Sequence, residues 1–221
     1  MKWHGPEGFG SGVMTEKIRQ PEKNSLSEEQ IGHNTIGKLQ PLSDRILIAD
    51  YDPHWPQLFR READRIRVVL REQALRIEHT GSTSVPGLAA KPIIDMLLVV
   101  KDSANEDAYV PALESVGYVL RIRETDWHQH RMFKGPETDT NLHVFSFGCS
   151  ESKRVLLFRD WLRSNAKDRE LYAQAKVALA EREWKYVQNY ADAKTDIIEE
   201  IIQRARQERK QRIGSCSHCN L

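Results

Sequence analysis

From residue 93 to residue 100 the chain is apolar at every position but one. Ile93, Ile94, Met96, Leu97, Leu98, Val99 and Val100 run without polar alternation, and Asp95 interrupts them. An unbroken apolar run of this length reads as a strand buried on both faces. A carboxylate inside it loses hydration and needs a partner, whether hydrogen-bond donors, a cation or a metal. Upstream, Ile77, Glu78 and His79 read as the end of another strand, and a loop of small residues, Gly81 to Gly87, joins the two. The alternation Leu142-His143-Val144-Phe145 predicts a further strand over 142–147.

The remaining pattern fills in around these strands. Residues 45–48 read as a short strand and Asp52-Pro53 as a turn. Leu58, Phe59, Ala63, Ile66, Val69 and Leu70 recur with helical period from Pro56 to about residue 74. Residues 108–116 read as a helix closed by Gly117, 118–123 as a strand, 124–130 as a loop and 131–134 as a short strand. Two long C-terminal helices follow: one over 153–163, and one from 168 through 180 that continues, interrupted, to 203. The sum is an α/β (α+β) fold, a mixed β-sheet flanked by helices.

The ends lack this order. Residues 1–40 are glycine-rich and then polar, and read as a disordered extension. Residues 204–221 read as a basic, disordered tail. Its stretch RARQERKQR is either a nucleic-acid or nuclear-import patch or, the preferred reading, a solvated helix end where cations suit the dipole. Cys216, His218 and Cys219 supply at most three ligands, too few for a closed zinc site. The core thus spans 45–203, one domain in a chain of 221 residues.

Composition narrows the function classes. A net charge of +1 gives no global field for nucleic acid or membrane. No apolar run is long enough to span a bilayer. The start lacks a basic-then-apolar signal pattern. Three cysteines, an odd number, argue against a disulfide framework and for a reducing compartment, with the cytoplasm as default.

Several residues carry candidate chemistry. The loop offers backbone N–H groups and the hydroxyls of Ser82, Thr83 and Ser84 as a phosphate cradle, with Gly81 at its head. Lys91, Arg131 and Lys134 are the candidate cationic contacts to an anionic ligand. Asp95 is the strongest candidate, with His143 facing it if their strands are neighbours. Each has a plain structural alternative: a turn that needs glycine, a strand-edge cation in water, an acid capping loop N–H groups, a hydrogen-bonded core histidine.

The string GSTSVPGLAAKPIID resembles the signature of the GrpB-like family, a branch of the nucleotidyltransferase superfamily. Residues 51–56 (YDPHWP), the segment around Asn141-Leu142-His143-Val144 and residues 157–162 (LFRDWL) match it in order, over roughly 47–200. The resemblance implies a nucleotidyltransferase-like fold. It also implies a Gly-Ser turn over the ligand's phosphates and a divalent metal, magnesium or manganese with zinc not excluded, held by strand acids. On that pattern Gly81-Ser82 and Asp95 fit, His143 stands where a third acid is expected, and Glu78, or Asp139 in the loop before that strand, is the candidate to complete the metal set. Leu97 occupies the position of the second acid, so the usual two-metal site is incomplete. The implied ligand is a nucleotide or other phosphorylated small molecule, with nucleotidyl transfer as the activity. The rivals are a non-catalytic accessory or folding-assistance domain, since the family also occurs fused to dephospho-coenzyme A kinase, and a metal-dependent hydrolase using the histidines between 128 and 143.

Overall fold

The computed structural model describes residues 26–216, with side chains as far as residue 212. Expectations for residues 1–25 and for the Cys216/Cys219 tail lie outside the described side chains.

The strands are β1 (Arg76–Thr80), β2 (Ile94–Val100), β3 (Val119–Glu124), β4 (His130–Lys134) and β5 (Thr140–Ser146). They form one mixed sheet in the order β1-β2-β5-β4-β3. Only the β2–β5 pair is parallel. The helices are α1 (Glu28–Asn34), α2 (Trp55–Leu70), α3 (Val110–Glu114), α4 (Ser150–Ser164), α5 (Ala166–Ala180), α6 (Val187–Asp192) and α7 (Thr195–Cys216). The expected mixed sheet with C-terminal helices is the architecture observed.

The alternation of β2 decides how the two faces differ. Ile94, Met96, Leu98 and Val100 pack with Leu142, Val144 and Phe133 against Trp55, Ala63, Ile66 and Leu70 of α2 and Leu113 of α3. This face is a closed apolar core. On the opposite face Leu97, Val99 and Phe145 meet Leu156 of α4 and are buried with it. That cover spans only one end of the sheet. At the other end the same face carries Asp95, Asn141, His143, Lys134 and His130, brought side by side by strand register.

Three expectations are corrected. Residues 45–48 form no strand; the segment makes a single antiparallel bridge, Ala49 to Ala90. Residues 28–34 are not disordered but helical, opened by a capping box in which Ser27 and Gln30 each accept the other's backbone N–H. Ile31 is buried there and Thr35 bridges to Ile122 at the β3 edge. Residues 204–212 continue α7, with Ala205 buried and most of the others exposed, so the solvated helix end is observed and the disordered tail is not. In both terminal cases a few apolar residues, too sparse to make a periodic face, suffice because a neighbouring element covers them. Among the described residues no helix is long and apolar enough to cross a membrane.

Candidate functional site

Gly81 closes β1 with φ at +64°, a backbone region disfavoured for residues with a side chain. It also has no room for one, since a Cβ there would sit 2.2 Å from Asp95 Oδ2. The glycine thus lets the loop lie directly against the carboxylate. Asn141, next to Asp95 across the β2–β5 pair, donates its amide N–H to Asp95 Oδ1 at 2.9 Å. His143 Nε2 lies 4.0 Å from the same oxygen. About a third of each side chain is open, 32% for Asp95 and 35% for His143. Asp95 is therefore not sealed in the core; its side chain is partly open to solvent. Desolvation by the surrounding protein pushes its pKa up, opposed by the Asn141 bond and by Lys194, Lys134 and Lys91.

Those three lysines, with Lys176, come from four different places: β4, the loop before β2, α5 and the turn before α7. Burial lowers the pKa of Lys91, and Lys134 lowers it further. Lys194 is pushed down to about 8 by desolvation, with Lys91 adding to the fall and Asp95 opposing it. Lys176 is pushed down to about 7 by burial and then by Lys194. Its ammonium donates to the Ala89 carbonyl and stands 5.0 Å from the centre of the Tyr172 ring. Lys194 stands 4.3 Å from the centre of the Tyr190 ring. Lys134 is paired with Asp139 at 2.9 Å, whereas burial first and a neighbouring lysine next disfavour the charged forms of Lys91, Lys176 and Lys194. Lys176 and Lys194 escaped the sequence reading, because helix lysines are ordinarily solvated and only tertiary packing turns these two inward.

The loop contributes less than its composition suggests. Thr83 donates to the Ile93 carbonyl and lies 3.1 Å from His79 Nε2, while Ser84 donates to the Gly81 carbonyl. Both are buried, so these hydroxyls hold the turn and do not face a ligand. Ser82 is half-buried and lies near Tyr172 of α5.

Two further candidates are placed elsewhere. Arg131 points to the opposite face and donates to Glu106 at 2.6 Å. Glu78 is on the Asp95 face, but it accepts from Arg76 at 2.8 Å and from Arg159 at 2.7 Å. Burial alone would raise its pKa, yet the two guanidinium groups outweigh burial and hold it below the usual range. A carboxylate paired with two arginines is a poor metal ligand. Leu97 lies in the apolar patch under α4. Among the described residues no three of His, Cys, Asp and Glu converge as a metal site. The residues present do not fit the two-metal arrangement that the resemblance implied.

Sequence reading also missed a line of polar groups crossing the sheet. His143 Nδ1 lies 2.9 Å from His130 Nε2, and His130 Nδ1 lies 2.6 Å from Glu124 Oε2. Asn34 of α1 donates to the other Glu124 oxygen at 3.2 Å. The signal was the spacing of His143 and His130 on strands that pair antiparallel, but the register of β4 with β5 cannot be read from either strand alone.

With this geometry in place, comparison with known proteins is decisive about kinship. The family described as GrpB protein matches residues 45–204. The chain belongs to the GrpB family. It is 61% identical over 179 residues to UPF0157 protein BH1888 of Halalkalibacterium halodurans, covering 81% of this chain and 92% of that one. It is 29% identical over 212 residues to the dephospho-CoA kinase of Mycobacterium tuberculosis, covering 84% of this chain but 50% of the kinase. The crystal structure of conserved protein GrpB from Enterococcus faecalis superposes with a TM-score of 0.65 at 31% identity, over 73% of this chain and 98% of that one.

Proposed function

We propose that this GrpB-family protein binds a nucleotide or other phosphorylated small molecule on the polar half of the sheet, with its phosphates among Lys91, Lys134 and Lys194. The observation that carries this is the lysine cluster: its members come from separate elements, and Lys91, Lys176 and Lys194 are held below their ordinary pKa by desolvation and then by a neighbouring lysine. A polyanion is the ligand that relieves that repulsion. Asp95 lies at the centre and Gly81-Ser82 form one wall, as a superfamily reading would have it. Transfer of a nucleotidyl or phosphoryl group is the chemistry this placement serves.

The test is calorimetric titration of the full chain with pyrophosphate, ATP and CTP. Lys91→Met and Lys194→Met are expected to lower pyrophosphate affinity at least tenfold each. A wild-type protein that binds none of the three would reject the reading. Thermal shift gives a second readout, since ligand at a hundred times its Kd adds about 2.7 kcal/mol of stability.

One observation favours a second reading. Position 97 is an apolar contact of α4 and Glu78 is held by two arginines, so a metal-assisted site lacks acids. A non-catalytic module that binds a phosphorylated ligand as a signal or a folding aid fits that lack. Kinship with half of a dephospho-CoA kinase accords with an accessory role. Binding without turnover of any nucleoside triphosphate would favour this alternative.

A further inference from the structure

We propose that Glu124 and His130 position His143 as a general base, by fixing its tautomer so that Nε2 stays bare beside Asp95. The proposal rests on the reading that a phosphorylated ligand occupies the lysine cluster.

The argument starts at the far end. A carboxylate only accepts hydrogen bonds, so the His130 nitrogen that faces Glu124, Nδ1 at 2.6 Å, carries a hydrogen. His130 is buried, stacked on Phe145 at 4.8 Å between ring centres, with the Trp127 ring edge-on at 5.4 Å. In a neutral ring with its one hydrogen on Nδ1, Nε2 is the acceptor. The His143 nitrogen 2.9 Å away, Nδ1, must be the donor. A neutral His143 with its hydrogen on Nδ1 has a bare Nε2, and Nε2 is the atom on the Asp95 side. Burial, with His130 and Lys134, pushes the His143 pKa down to about 3, so the ring stays neutral at physiological pH. The groups facing it are Asp95 on β2, Lys134 and His130 on β4, and beyond them Lys91 and Lys194.

The gap of 4.0 Å between His143 Nε2 and Asp95 Oδ1 is too long for a hydrogen bond. Both atoms are acceptors in this arrangement. A hydroxyl entering from the open side can donate to one of them. In the reaction, the acceptor oxygen forms a bond to phosphorus as its proton moves to His143 Nε2. The bond from phosphorus to the leaving phosphate oxygen breaks, and its electron pair departs on that oxygen among the lysines. The Nδ1 hydrogen of His143 shifts toward His130 Nε2, which places the new positive charge beside Glu124. A weakly basic imidazole is thereby made effective, since the charge ends next to a carboxylate.

The test uses histidine tautomers, which nitrogen NMR reads directly on the full chain labelled at its 8 histidines. Assignment comes from His143→Gln and His130→Gln. In the wild type at pH 7, His143 is expected with its hydrogen on Nδ1 and Nε2 unprotonated. Glu124→Gln is the diagnostic variant. Asn34 donates to Glu124 Oε1 and keeps the glutamine carbonyl on its own side, so the new amide N–H₂ points at His130. Both rings must then flip, leaving a hydrogen on His143 Nε2. Carbethoxylation of His143 by diethylpyrocarbonate should fall at least tenfold in that variant, while pyrophosphate affinity changes less than twofold. A purely structural role would lower stability without moving the tautomer. A wild-type His143 protonated on Nε2, or tautomers unchanged in a folded Glu124→Gln, would overturn the proposal. If the tautomers flip but the wild type binds no pyrophosphate, the ligand reading fails and the positioning stands.

Discussion

Asp95 and Gly81 form a matched pair, and each explains why the other cannot change freely. Gly81→Ala faces a left-handed backbone that costs about 1–2 kcal/mol and a Cβ overlapping Asp95 Oδ2. We expect denaturant unfolding to show a loss of at least that size, with the loop displaced. Asp95→Asn behaves differently. It removes the negative charge beside Lys194, Lys134 and Lys91, while Asp139 stays paired with Lys134, so the site becomes more cationic. Pyrophosphate affinity is expected to rise by ~1 kcal/mol, about fivefold, while any turnover is lost. Titration and a pyrophosphate-release assay on the same sample check both halves. Affinity that falls in this variant would mean that Asp95 contacts the ligand through a bridging cation. Asp95 was legible in the sequence as a lone acid in an apolar run. Its glycine neighbour was legible only as a turn former, since close contact between a loop and a side chain 14 positions on is a tertiary fact.

At the level of elements, β2 and α1 carry the lessons. Leu97 faces the same side as Asp95, but α4 covers it and leaves it 1% exposed. Leu97→Asp therefore does not restore a metal ligand. It buries an unpaired acid and removes a core side chain, for a loss of about 3 kcal/mol or more, measurable by chemical denaturation. Helix α1 ties Asn34 to Glu124 on one side, and Glu28 to Lys185 and Tyr186 ahead of α6 on the other. Removing residues 1–40 also strips the buried Ile31 and the bridge to β3. The truncated chain should melt several degrees lower, whereas removal of residues 1–25 spares all these contacts. Equal melting temperatures for the two truncations would show that α1 adds nothing. Reading the sequence missed α1 because one apolar residue per helical turn leaves no stripe; its stability comes from the capping box and its neighbours.

For the whole molecule, pH acts in two windows of opposite meaning. Lys176 and Lys194 are charged below about 7 and about 8 respectively. On the proposed reading Lys194 holds the anion with Lys176 behind it, so pyrophosphate affinity should fall as pH rises from 6 to 9, beyond what ligand ionisation alone accounts for, and Lys194→Met should flatten the fall. Stability moves the other way. Desolvation, then Arg163 and Arg159, hold His79 at about 4, below its ordinary 6.5. Its folded-state pKa is depressed, so the unfolded chain binds more protons between those values. Its contribution is full above about 6.5 and is lost as pH falls toward 4. Denaturant midpoints across pH 4–7 should drop toward acid, and less so in His79→Gln if that variant keeps the contact with Thr83.

The sequence by itself determined the sheet strands, the turn at Gly81 and the position of the lone acid, because hydrophobic period and glycine are local signals. It also carried the family, through long strings that match in order. Tertiary structure alone decided which groups share a site. Strand register placed His130 against His143 and turned Arg131 to the far face. Helix packing turned Lys176 and Lys194 inward and committed Glu78 to Arg159. These outcomes depend on which side chains from distant segments lie within a few ångströms of each other. No local pattern encodes that distance, since the free energy that sets it comes from burial across the whole core.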